Sequence, residues 1–115
     1  MVLWIGFDLQ AEIEVGDGNH WTALHLAALN GKEAVAAQLL QAGASVSAVT
    51  DNGQTPLRWA AFCGESSIAN LLLQANASPT AVDKGGRTPA QRAKQHGYDD
   101  LTAMLLEAEQ AAALK

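Results

Sequence analysis

The sequence predicts an all-α solenoid of stacked helix-turn-helix units joined by β-turn or hairpin-like loops, and three observations carry that reading. A motif returns every 33 residues, as Thr22-Ala23-Leu24-His25-Leu26-Ala27-Ala28, Thr55-Pro56-Leu57-Arg58-Trp59-Ala60-Ala61 and Thr88-Pro89-Ala90-Gln91-Arg92-Ala93-Lys94. Glycine recurs in the same register at Gly31, Gly64 and Gly97. Small residues, Ala27, Ala28, Ala60, Ala61 and Ala93, line the repeated segment, where a bulky side chain would hold neighbouring units apart. A fixed period of this length means units that cannot bury their own apolar face and so must cover one another.

Each inner helix has a start and a stop. Thr55 and Thr88 are good N-caps followed by proline at the first helical position, and Thr22 is followed by alanine. The recurring glycines supply the left-handed residue that ends a helix. The inner helices are therefore expected over 23–30, 56–63 and 89–96. Second helices follow, with apolar positions at Val35, Leu39 and Leu40, then at Ile68, Leu71, Leu72 and Leu73, packing outside the first set. Gly43 and Asn76 close them, and Thr50-Asp51-Asn52-Gly53 and Asp83-Lys84-Gly85-Gly86 turn the chain back. His20 reads as a turn residue standing where these turns have glycine.

At this point the sequence resembles the ankyrin repeat, whose signature Thr-Pro-Leu-His-x-Ala is met almost fully at 22–27 and in part at 55–60 and 88–93. The resemblance runs over about residues 11–108 and divides the chain into repeats at about 17–49, 50–82 and 83–113. Arg58 and Gln91 depart from the signature histidine, which predicts a weaker hydrogen bond between repeats there than at His25.

The ends of the stack differ. The last unit carries Gln91, Arg92, Lys94, Gln95 and His96 on its inner helix and a polar second helix over about 99–113, as a cap needs. Residues 1–16 are too few for a unit, yet carry Val2, Leu3, Trp4, Ile5, Phe7, Leu9, Ile13 and Val15. Leu9-Gln10-Ala11 echoes Leu40-Gln41-Ala42 and Leu73-Gln74-Ala75, which makes this segment the tail of a degenerate half-repeat. The alternating pattern from Leu3 to Val15 instead reads as a strand, which would seek a partner edge and give a homodimer through residues 1–15.

Composition narrows the function. The 115 residues are 49% hydrophobic and carry a formal charge of −5, room for one domain without the basic excess of a general nucleic-acid binder. Cys63 is the single cysteine, so no disulfide forms within the chain and a reduced, cytoplasmic setting is expected. The sequence offers no membrane span or signal peptide, and none of the P-loop, GxGxxG, HExxH, CxxC or GxSxG motifs, so neither cofactor nor catalysis is expected. Asn30, Cys63 and His96 occupy one repeat position and share residue types with thiol proteases, but adjacent inner helices lie about 8–10 Å apart, too far for a nucleophile and its base. Cys63 and His96 are also too few for a structural zinc.

What the resemblance implies is a protein-binding module whose turn tips and exposed inner-helix positions form a concave surface. By register these are Trp21, Leu29 and Asn30 in the first unit, Asn52, Gln54, Phe62 and Cys63 in the second, and Lys84, Arg87, Gln95 and His96 in the third. Trp21 and Phe62 are expected to be solvent-facing anchors, and Trp59 to be either packing or an anchor. Lys84, Arg87, Arg92 and Lys94 share a stretch free of acids, while Asp8, Glu12, Glu14 and Asp17 make the other end acidic, so the third-repeat end is expected to take an acidic segment of a partner. The other readings are an assembly role through the apolar N-terminus and a fragment of a longer repeat array.

Overall fold

The computed structural model describes residues 13–15 and 18–113. A short hairpin, β1 (Ile13–Val15) with β2 (Gly18–Trp21), leads into three helix pairs: α1 (Ala23–Asn30) with α2 (Glu33–Gln41), α3 (Pro56–Cys63) with α4 (Ser66–Gln74), and α5 (Pro89–Gln95) with α6 (Asp99–Ala113). Inner helices pack in order, α1 on α3 and α3 on α5, and α2 packs on α4 outside them.

Local chemistry sets every inner-helix start. The hydroxyls of Thr22, Thr55 and Thr88 accept from the amides of His25, Arg58 and Gln91 at 3.3, 3.1 and 3.2 Å. In α1 and α5 the bond is reciprocated, because His25 Nδ1 accepts from the Thr22 amide and Gln91 Oε1 from the Thr88 amide. Arg58 has no acceptor and cannot close that box. At the far ends Gly31 and Gly64 lie at φ +67° and +74°, and the following amides of Lys32 and Glu65 reach back to the carbonyls of Ala27 and Ala60. In α5 the helix stops at Gln95, one residue earlier than the spacing predicts, with His96 as its cap and Gly97 in the left-handed region.

The core follows the repeat register. Leu24, Leu57 and Ala90 are buried at one position, Ala27, Ala60 and Ala93 at a second, and Leu39, Leu72 and Leu105 at a third on the outer helices. These residues form one cluster, so each unit's apolar surface is covered by the next.

Turns lock the units together. Thr50 Oγ1 accepts from the amides of Asn52 and Gln54, and Asp83 Oδ1 does the same for Gly85 and Arg87 one repeat later. The Lys84 amide donates to the Asn52 carbonyl at 3.2 Å, joining the two turns directly. His20 adopts φ +69°, the left-handed conformation that Gly53 and Gly86 take in the other turns, and pairs with Asp51 of the next turn.

Two expectations change. Ile13–Val15 is extended, but it pairs antiparallel with Gly18–Trp21 of the same chain. The rest of the 1–16 segment, with the half-repeat and dimer readings that fall on it, lies outside the described residues. At Arg58, where the departure from histidine predicts a weaker hydrogen bond, a longer contact to a carboxylate replaces the bond to a carbonyl. His25 Nε2 donates to the Gln54 carbonyl at 2.9 Å, and Arg58 Nε makes the equivalent reach to the Asp83 carboxylate at 3.3 Å.

His25 gives the fold a pH dependence. Burial lowers its pKa below the ordinary 6.5, with the bond to the Gln54 carbonyl opposing. The folded protein thus keeps a neutral ring while the unfolded chain takes up a proton, so this contribution is full above 6.5 and is lost as pH falls through the folded pKa. Stability measured by urea unfolding is expected to fall below pH 6.5 at up to about 1.4 kcal/mol per pH unit from this site. His25→Gln, which can still accept from the Thr22 amide as Gln91 does from Thr88, removes that slope.

Candidate functional site

The repeat register places Leu29 and Asn30, Phe62 and Cys63, and Gln95 and His96 at equivalent ends of the three inner helices, with the turn tips at Asn52 and Lys84 bonded beside them. Asn30, Asn52, Lys84, Arg87, Gln95 and His96 are exposed, and Leu29, Gln54, Phe62 and Cys63 are half-buried. Gln54 already has structural work, since its carbonyl holds His25 and its Oε1 accepts from Thr50.

Trp21 is a correction. It is 5% exposed and so no solvent-facing anchor. Its ring packs tilted against Trp59 of the next unit with centroids 4.9 Å apart and meets His25 edge-on at 5.7 Å. The turn position that Gln54 and Arg87 use for polar side chains is here filled by an apolar ring, which folds down on its neighbour to leave water.

From Trp59 the aromatic contacts continue. Phe62 meets Trp59 edge-on at 5.4 Å and His96 at 4.7 Å, and His96 lies over Tyr98 at 6.0 Å, so a rail of rings crosses all three units. The Arg58 guanidinium lies 4.5 Å from the Trp59 ring centroid and 4.9 Å from that of Phe62. At the base of the rail Asp83 Oδ2 accepts from Arg58 Nε and from both Nε and Nη2 of Arg92, at 3.3, 3.0 and 2.8 Å. Burial alone would push the Asp83 carboxyl up, but the hydrogen bonds from Arg92, the Arg87 amide and Arg58 hold it below its ordinary 3.8. Two arginines on one carboxylate leave a local surplus of positive charge.

Sequence reasoning missed Arg58, Asp83 and Tyr98. The signal for the first two lay in the register: an arginine at the buried histidine position needs a counter-charge, and Asp83 occupies the next turn. Arg92, counted there with the open cations, is instead committed to Asp83 and to Gln95 Oε1. Among the described residues no hydrogen bond links Asn30, Cys63 and His96, and burial, with Glu65 adding to it and Arg58 opposing, pushes the Cys63 thiol up, away from the thiolate a nucleophile needs. Among the same residues no three His, Cys, Asp or Glu side chains group to hold a metal ion, and no helix is long and apolar enough to cross a membrane.

With this geometry in place, the comparison with known families is specific. Residues 3–83 match a family model described as ankyrin repeats in three copies, a stretch that takes in helices α1 to α4 and leaves α5 and α6 beyond it. No curated protein matches the chain significantly.

The double-arginine site makes a direct prediction. Asp83→Asn leaves buried Arg58 without its counter-charge and is expected to cost about 3 kcal/mol in urea unfolding. Thr50→Ala removes the same turn cap where no arginine depends on it, and should cost about 1 kcal/mol.

Proposed function

The chain belongs to the ankyrin-repeat family, whose members generally serve as protein-protein interaction modules, and from that premise we propose that it is a non-catalytic binding module working in a reduced, cytoplasmic setting. It holds a partner protein on the concave surface of turn tips and inner helices, through Leu29, Asn30, Asn52, Gln54, Phe62, Cys63, Lys84, Arg87, Gln95 and His96. The third-repeat end receives an acidic segment of that partner.

One observation carries this reading. Of the seven Lys and Arg residues in a chain of net charge −5, five are Arg58, Lys84, Arg87, Arg92 and Lys94. Asp83 neutralises only one of these charges, and Lys84, Arg87 and Lys94 remain exposed beside it. A local positive patch on a negative protein orients an acidic partner during approach and contributes more to association rate than to affinity. The rigid scaffold lowers the ordering cost at contact.

Lys84→Glu with Arg87→Glu is expected to slow association with the partner about tenfold at low ionic strength, measured by stopped-flow or surface binding, and to leave the melting temperature unchanged. An on-rate that does not move sinks the charge-guided reading.

A further inference from the structure

Three buried hydrogen-bond donors meet on the aromatic rail without an acceptor: Trp21 Nε1, Trp59 Nε1 and Arg58 Nη1 have no partner among the described residues. Buried indole and guanidinium N–H groups are normally satisfied, so a cluster of orphans of one kind states what is missing. Each of these three orphans is a donor, whereas the other such buried atom among the described residues, Glu109 Oε2 on α6, is an acceptor. The matching occupant brings acceptors, lies flat on rings and tolerates a positive surround.

Building on the protein-binding reading above, we propose that the rail of Trp59, Phe62, His96 and Tyr98 seats an extended, proline-rich segment of the partner, with its acidic residues lying toward Lys84 and Arg87. The match is in the hydrogen bonds. A proline segment presents backbone carbonyls with few N–H groups and leaves those carbonyls unbonded internally, whereas the buried polar atoms left unpartnered along the rail are N–H donors. Proline rings lie against aromatic faces, the recurring way that such segments are held. Length sets the size of the segment: centroid steps of 5.4, 4.7 and 6.0 Å from Trp59 to Tyr98 make a path of roughly 16 Å, which about five residues of polyproline helix cover.

Trp59 and Phe62 are half-buried and His96 is exposed, so the rail reaches the surface. Trp21 lies beneath as a backing ring. The Trp59 Nε1 atom is buried, so a turn of the indole about its side-chain bonds, a common adjustment at interfaces, is what delivers it to a peptide carbonyl.

The test uses the full chain and three synthetic peptides of equal length, read by calorimetry and by tryptophan fluorescence. One carries several prolines and glutamates, the second has alanine for each proline, and the third has glutamine for each glutamate. The first is expected to bind, the second at least about tenfold more weakly, and Trp59→Phe, which keeps an aromatic face but loses the donor, should weaken the first by about tenfold. Phe62→Ala, in the middle of the rail, should lose the same preference for proline, and carries the test if Trp59→Phe does not fold.

Equal binding of the proline and alanine peptides overturns the inference while leaving the charge-guided reading standing. Equal binding of the glutamate and glutamine peptides, with a proline preference intact, supports the rail and removes the acidic segment instead. Binding of none of the three, or tighter binding of a single-stranded oligonucleotide than of any peptide, overturns the proposal.

Discussion

The structure depends on how closely the inner helices approach. Ala27, Ala28, Ala60, Ala61 and Ala93 are at most 3% exposed and occupy the contacts between α1, α3 and α5, where each methyl group sets the spacing between backbones. Larger side chains there would force the units apart or off their rotamers, at a cost of about 1–3 kcal/mol per site. Leu39, Leu72 and Leu105 pack from the outer helices onto the same core as Leu24 and Leu57 of the inner ones. Small residues between the inner helices let successive turns bond to each other, as the Lys84 amide does to the Asn52 carbonyl. A continuous face of turn tips exists only because that spacing holds.

Within this frame the two junctions between units use different chemistry. A neutral histidine both accepts and donates, so His25 closes its own helix start through Nδ1 and binds the next turn through Nε2. Arginine only donates. Arg58 gives up the reciprocal cap, reaches further and requires a carboxylate in the next turn, which Asp83 supplies while also capping that turn. The first junction is thus neutral and the second ionic. Gln91 restores the acceptor at the start of α5.

Most of the fold was legible because its signals are local. A threonine before a helix and a glycine after it act within one turn of backbone, so the boundaries of α1, α3 and α6 match the spacing and α5 differs by one residue. The candidate face was legible in register but not in accessibility. Position 21 is a turn tip in every unit, yet whether its side chain meets water depends on what stands at position 59, and the Trp21–Trp59 pair is a contact between repeats that no local rule encodes. The same holds for Arg92: the stretch after Asp83 reads as free positive charge until the aspartate beside it is seen to hold two guanidinium groups.

Charge and rail act at different distances. At physiological ionic strength, fields from exposed groups fade over about 8 Å, so an approaching partner senses the net −5 of the whole chain only weakly and the nearest patch strongly. On the proposed reading an acidic segment is steered by Lys84, Arg87 and Lys94, the exposed cations of the third repeat, which biases the orientation in which it first touches. Arg58 joins the ionic cluster to the aromatic rail: it shares Asp83 with Arg92 and lies against the rings of Trp59 and Phe62. On the proposed reading, charge guides the approach and the rings supply the contact. Affinity then rests on desolvated aromatic area and hydrogen bonds, which salt screens far less than it screens the approach.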